Sequence, residues 1–159
     1  MINWLTTLIL RIVGVVSRNL SQRGRTALGR FLGNVIRRVS SSRYAVTLDN
    51  LSHAFPDKTV EWKRATADAA YHNLGITLAE LMAFPALTEA DIRSMITYKN
   101  LNLIEEAGKE GKGVILLSAH YGNWELLAFA LPLFTAVPVS VIVKPQQNTY
   151  ADTLLNAYR

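Results

Sequence analysis

The chain has no cysteine among its 159 residues, and half of them are hydrophobic. The absence of cysteine excludes disulfides, thiolate nucleophiles and cysteine-based zinc or iron–sulfur sites. The hydrophobic content is too high for a disordered chain. The length suits one domain with a sizeable core.

Acidic residues are absent from the first 48 positions, where eight arginines are the only charged side chains: Arg11, Arg18, Arg23, Arg25, Arg30, Arg37, Arg38 and Arg43. The remaining chain is mixed in charge and mildly acidic. This distribution argues against basic partners for the first segment. It favours anionic lipid headgroups or nucleic-acid phosphates instead.

The opening residues 2–17 are apolar in a helical pattern that Arg11 interrupts. This apolar stretch is shorter than the roughly 20 residues that span a bilayer. A tilted or interfacial helix would accommodate Arg11 by snorkelling. No basic residue precedes the apolar run and no small-residue cleavage site follows it, so it does not resemble a secretory signal.

A second basic helix is predicted after it, because apolar residues recur at helical spacing: Leu28, Phe31, Leu32, Val35, Ile36 and Val39. Arg23, Arg30 and Arg37 lie seven apart on another face, the pattern of a helix on a membrane surface. We therefore expect residues 1–45 to be membrane-associated, with Arg11 and these three arginines in contact with lipid. An ordinary helix with a solvated arginine face and an organellar transit peptide are the alternatives.

The rest of the chain, residues 46–159, is expected to have a fold of α/β class. Helices are predicted over about 59–84, 101–109, 125–134 and 149–159, and strands over 113–118 and 137–143. Thr88 and Asp91 have the spacing of a capping box. Asn148 or Thr149 would cap the last helix. The alternation of strand and helix predicts a parallel sheet behind the N-terminal helices.

The segment most suited to chemistry is 118–125, at the carboxyl end of the first predicted strand, where parallel sheets bind ligands. His120 and Glu125 lie five apart across a turn that contains Gly122. A neutral histidine can take the proton of an attacking hydroxyl, and a carboxylate behind it fixes its tautomer. Spacing alone is a weak signal, and it equally allows a locally hydrogen-bonded histidine and a glutamate favoured by a helix N-terminus.

Three blocks of the sequence together resemble one known family. Residues 113–125 are similar to the His-x4-Asp/Glu signature of the bacterial lipid A biosynthesis (lauroyl/myristoyl) acyltransferases, in its Gly-Asn-Trp-Glu form. Asn50-Leu51 with Ala54-Phe55-Pro56 resembles the upstream element of that family, and Val143-Lys144-Pro145 with Asn148 resembles the downstream one. The resemblance covers nearly the whole chain.

The resemblance implies an O-acyltransferase at the cytoplasmic face of the bacterial inner membrane. It would move a fatty acyl chain from a carrier-protein or coenzyme A thioester to a hydroxyl of a lipid or glycolipid such as a lipid A precursor. His120 would be the base and Glu125 its orienting partner. Substrate-binding roles would fall to Asn123, Lys144, Asn148 and Arg159. Neither a metal nor a further cofactor is implied, and acyl carrier protein is an expected partner.

Two departures from the family pattern shape these expectations. Lys144 stands where the family usually has an arginine, and lysine supplies a point charge in place of a bidentate fork. The chain is also about half the family's length, so we expect residues 46–159 to be the N-terminal half of the acyltransferase domain. We expect the truncated chain, alone, to be poorly soluble and inactive. The alternative function is a catalytically inactive membrane-surface binding protein. Nucleic-acid binding is disfavoured, since no interleaved aromatics or known motif accompany the arginines.

Overall fold

The structure, a computed structural model, describes residues 2–144 and 147–158. Over these residues it consists of eight α-helices: α1 Ile2–Arg18, α2 Gln22–Val39, α3 Ser41–Ala54, α4 Val60–Ala83, α5 Glu89–Met95, α6 Asn102–Gly108, α7 Trp124–Ala130 and α8 Thr149–Tyr158. Single turns of 3-10 helix follow α4 and α7, at Phe84–Ala86 and Leu131–Leu133. The long α4 is the centre of the fold, and α1, α2, α3 and α7 pack against it.

Side-chain caps explain where several helices begin. The Ser21 hydroxyl accepts a hydrogen bond from the Gly24 backbone N–H at 3.3 Å and starts α2, and Thr59 starts α4 in the same way. The predicted capping box of Thr88 and Asp91 is confirmed at the start of α5. Ser40 alone separates α2 from α3, which begins at the next residue.

Glycines bring α2 and α4 into direct backbone contact. A Cβ atom on Gly75 would lie 2.0 Å from the carbonyl oxygen of Gly29 and 2.5 Å from the amide nitrogen of Gly33. A Cβ on Gly29 would lie 2.4 Å from the Cα of Ile76. Any larger residue at these positions would have to push the two helices apart. This contact therefore fixes α4 against α2.

The hydrophobic core lies at the C-terminal part of α4. Its buried members are Val13, Leu81, Met82, Phe84 and Leu126. Since Leu126 belongs to α7, the core also fixes the helix that follows the predicted catalytic loop. The Phe129 ring of α7 packs edge-on against the ring of Phe84, with 5.6 Å between centroids.

The predicted parallel sheet is wrong for this structure, because no residue within 2–144 or 147–158 belongs to a strand. Apolar runs predicted strands over residues 113–118 and 137–143, but both segments lack regular secondary structure. Apolar character predicts that a segment prefers burial, whereas a strand also needs a neighbour for its backbone hydrogen bonds. Neither segment has such a neighbour among the described residues.

The N-terminal helices were predicted to form a membrane-associated unit that ends at residue 45. In the structure α3 runs across that position, and α2 packs along α4. The proposed domain boundary stays a prediction. Among the helices that the structure describes, none combines the length and the apolar character required to cross a bilayer.

Candidate active site

The predicted catalytic segment is a loop that lies against α4 and enters α7. Gly122 has a positive φ of 58°, a conformation that glycine adopts without strain. Its carbonyl oxygen accepts a hydrogen bond from the Thr77 hydroxyl of α4 at 3.4 Å. The chain therefore turns sharply between His120 and Glu125, as the sequence predicted, and α4 holds the turn.

Asn123 is the N-cap of α7. Its Oδ1 atom accepts the backbone N–H of Leu126 at 2.9 Å, which satisfies one of the free donors of the first helical turn. Its Nδ2 atom donates to Oε2 of Glu80 at 2.5 Å. Both ends of the amide are therefore used within the protein. The predicted role of Asn123 in substrate binding stays a prediction beside this structural role.

His120 and Glu125 lie at the two ends of this turn. The His120 side chain is exposed, and its ring packs against the ring of Trp124 with 4.9 Å between centroids and a 41° interplanar angle. Glu125 is partly buried in the first turn of α7, where the helix dipole favours a carboxylate. An exposed imidazole is open to an incoming hydroxyl group. The catalytic pairing of these two residues stays a prediction.

Glu80 is a polar residue of this region that the sequence analysis missed. Its side chain is only 8% exposed, and it accepts hydrogen bonds from Asn123 and from Nε2 of Gln22, the latter at 2.7 Å. The available signal was its position within the apolar run Leu78–Phe84 at the end of a helix. A charged residue in such a run is unfavourable unless it is hydrogen-bonded.

A family model described as bacterial lipid A biosynthesis acyltransferase matches residues 1–159. The chain belongs to this family. Membership confirms the predicted resemblance and indicates acyltransferase activity in bacterial lipid A biosynthesis. No curated protein and no solved structure matches the chain.

The other predicted substrate-binding residues of this acyltransferase family member lie apart from the loop in sequence. Lys144 is exposed at the end of the irregular segment that precedes α8. Asn148 caps α8, because its Oδ1 atom accepts the backbone N–H groups of Tyr150 and Ala151 at 3.1 and 3.2 Å. That capping role confirms one of the two predicted caps for the last helix. Arg159 lies outside the described residues.

The predicted membrane-binding arginines fall into two groups. Arg11, Arg23 and Arg30 are exposed. Arg37 instead forms an ion pair with Asp68 of α4 at 2.9 Å, and the Tyr44 hydroxyl donates to the same carboxylate at 2.8 Å. Arg37 therefore helps to join α2, α3 and α4. The seven-residue spacing predicted a lipid contact for Arg37 and did not predict this ion pair.

A groove of about 450 Å³ lies between α3 and α4, and its lining residues are Arg43, Val46, Thr47, Ala70, Tyr71 and Leu74. It includes neither His120 nor Glu125, so it does not identify a substrate pocket for the predicted chemistry. Within residues 2–144 and 147–158, no group of three or more metal-ligating side chains lies close enough to hold an ion.

Proposed function

We propose that the protein transfers a fatty acyl chain from a thioester donor to a hydroxyl of a lipid A precursor or a related glycolipid. Acyl carrier protein or coenzyme A would carry the donor chain. The observation that carries this proposal is the family match over the whole chain, together with the His-x4-Glu motif on the loop before α7. Neither a metal nor a redox group is required by this reaction.

In the proposed reaction His120 acts as general base. Its neutral imidazole accepts the proton of the acceptor hydroxyl while the oxygen attacks the thioester carbonyl. The tetrahedral intermediate then collapses, the carbon–sulfur bond breaks, and the thiolate leaves with the proton that His120 returns. Glu125 stabilises the transient imidazolium and orients the ring, as the carboxylate of a serine-protease triad does. The exposed position of His120 suits an acceptor that approaches from outside.

We further propose that the N-terminal helices hold the enzyme at the cytoplasmic face of the inner membrane. The exposed side of α1 carries apolar residues that a soluble surface would not favour: Trp4, Leu5, Leu8, Ile9, Ile12, Val15 and Val16. Phe31 and Val39 of α2 are also exposed, and Arg11, Arg23 and Arg30 add positive charge. This combination is typical of helices that lie in the interface of an anionic membrane.

The test is an acyl-transfer assay of the full-length protein in mixed micelles. Acyl carrier protein and coenzyme A thioesters serve as donors, and lipid A precursors, lysophospholipids and other glycolipids as acceptors. We expect transfer to a lipid A precursor and much less to the other acceptors. The absence of transfer with every donor and acceptor, despite vesicle binding, would favour the alternative function of a membrane-surface binding protein.

A further inference from the structure

Two amide side chains converge on the buried carboxylate of Glu80. Gln22, at the first turn of α2, donates to Oε1, and Asn123, at the N-cap of α7, donates to Oε2. Glu80 thus links the start of α2 with the predicted catalytic loop through one side chain of α4. One helical turn earlier, Thr77 holds the same loop by its hydrogen bond to Gly122.

The chemistry of a carboxylate determines how the Asn123 amide is oriented. An ionised carboxylate only accepts hydrogen bonds, whereas an amide has one accepting oxygen and one donating nitrogen. Glu80 therefore requires the NH2 group of Asn123 to face it. The oxygen must then face the backbone N–H of Leu126, which is the orientation that caps α7. An inverted amide would present a donor to that N–H and lose the cap.

The position of Glu80 is itself well fixed. Its helix is in backbone contact with α2 through Gly29, Gly33 and Gly75. Next to it in α4, Leu81 and Met82 are buried in the core, together with Leu126 of α7. Because α2 and α4 hold Glu80 in place, its hydrogen bond to Asn123 can fix the position of the first turn of α7. That turn carries Glu125, and Trp124 within it packs on the His120 ring.

We infer that Glu80 is a positioning residue for the acyl-transfer site. It selects the orientation of the Asn123 amide, caps α7 through it, and so sets the placement of Glu125 and of the Trp124 ring beside His120. This role rests on the proposed function, in which His120 and Glu125 carry the chemistry. Glu80 itself does not touch the substrate.

The first test compares three substitutions in the full-length protein. Glu80→Met removes both acceptors at similar size, and we expect kcat to fall about tenfold to a hundredfold with little change in KM, because misplaced catalytic groups cost rate. In Glu80→Gln we expect kcat to stay within about threefold of wild type. The exposed Gln22 amide can rotate and accept from the new NH2 group, and the oxygen of the new side chain then accepts from Asn123. Gln22→Met, which removes the other hydrogen bond of the same carboxylate, is the matched control and should also keep kcat.

A reciprocal exchange of donor and acceptor sharpens this test. Asn123→Asp places two carboxylates against each other and should lower kcat strongly. Adding Glu80→Gln returns an amide donor to face the new carboxylate. That carboxylate can still cap α7, and the oxygen of the new amide can still accept from Gln22. The double variant should therefore recover at least about tenfold over the single variant, whereas a simple loss of stability would leave it no better.

A structural measurement separates this inference from the proposed function. Hydrogen exchange of the Leu126 amide should accelerate by about fivefold in Glu80→Met, equivalent to about 1 kcal/mol for a lost N-cap, and should be unchanged in Gln22→Met. This readout needs no acyltransferase activity. If wild type transferred no acyl chain, the proposed function would fail while the exchange data still decided whether Glu80 positions α7.

Three results would overturn the inference. One is a folded Glu80→Met protein with kcat within about twofold of wild type. The second is an equal loss in Gln22→Met, which would mean that general stability and not the Asn123 orientation is affected. The third is unchanged exchange at Leu126 in Glu80→Met.

Discussion

The helix pair of α2 and α4 and the irregular segments on either side of α7 differ in how their apolar groups are placed. Between α2 and α4 the backbones touch, and a Cβ on Gly33 would lie 2.3 Å from the carbonyl oxygen of Tyr71. In the irregular segments, Ile115, Leu117 and Ile142 are 95%, 98% and 101% exposed. The first region has no room for an added methyl group at its contact glycines, whereas the second presents apolar side chains to solvent.

The two regions therefore differ in role, because the first stabilises the fold and the second contains the residues of the proposed chemistry. Close packing and the ion pair of Arg37 with Asp68 concentrate the tertiary contacts in the first region. The His120 loop belongs to the second region and depends on α4 for its anchors at Gly122 and Asn123. Substitutions in the second region should therefore change activity without unfolding the chain, whereas larger residues at the glycines of the α2–α4 contact should destabilise the fold.

The largest expected effect is on turnover in the second region. His120→Ala should lower kcat by about two to four orders of magnitude, the usual range for loss of a general base. His53→Ala is the matched control, because His53 is exposed on α3 and its Nδ1 lies 2.9 Å from the carbonyl oxygen of Asp49. The measurement is steady-state kinetics of both variants, after thermal melts have shown that they are as stable as wild type. Turnover within about threefold of wild type in folded His120→Ala would refute the general-base mechanism.

Glu125, the proposed partner of His120, is the second residue of this region to be tested. Glu125→Ala should also reduce kcat severely, because the imidazole loses the group that orients it. The double variant should be little worse than His120→Ala alone, since base and orienting group act as one unit. Steady-state kinetics of the three variants measures this. Fully multiplicative losses in the double variant would show that the two residues act independently.

The next effect in size is on the fold of the first region. Gly75→Ala should destabilise the protein by about 3 kcal/mol or more, because the added methyl group would lie 2.0 Å from a backbone oxygen and forces α2 and α4 apart. Gly24→Ala, in α2 but against the flexible Leu20 side chain at 3.1 Å, is the control and should be near neutral. Chemical denaturation measures both. Equal stabilities would mean that the helix pair is more loosely packed than described.

Some parts of the fold could be predicted from the sequence and others could not, and the difference lies in how far apart in the chain the contacting residues are. The periodicity over residues 59–84 predicted a helix that the structure places at Val60–Ala83, and caps at Thr88 and Asn148 were predicted from local chemistry alone. These features depend on residues close together in the chain. The sheet was wrong because a strand depends on a distant partner, which an apolar run does not specify.

The candidate site shows the same limit. The motif placed His120 and Glu125 on a turn before a helix, and the structure has such a turn. Glu80 was missed, since its relation to Asn123 spans 43 positions in the sequence and follows only from the packing of α7 on α4. The α3 helix was also missed. No residue of that helix is buried, so no buried apolar face marks it in the sequence.

A smaller effect is expected for the membrane contact of the first region. Replacing both Arg23 and Arg30 with Gln should weaken binding to anionic vesicles by about 2 kcal/mol, at about 1 kcal/mol for each charge near the surface. Lys112→Gln, an exposed cation outside the N-terminal helices, is the control. Vesicle co-sedimentation at rising salt measures the difference, because salt screens exposed charges. Equal binding of the double variant and wild type would exclude these arginines as lipid contacts.

The smallest effect concerns Asp91, at the junction between the helix pair and the later segments. Hydrogen bonds from the side chain and the backbone N–H of Thr88 lower the pKa of Asp91 below its usual 3.8. Because the folded pKa is the lower one, this contribution to stability is fully present above the unfolded pKa. It is lost as pH falls through the folded pKa.

Asp91→Asn should therefore melt below wild type at about pH 7 by no more than a few degrees, and the difference should shrink as pH falls below 3.8. Circular dichroism melts from about pH 7 to about pH 2 measure this change. The same substitution in a Thr88→Ala background is the control, and its pH dependence should be smaller because the hydroxyl donor is already gone. A melting difference that grows on acidification would reverse the sign of the proposed linkage.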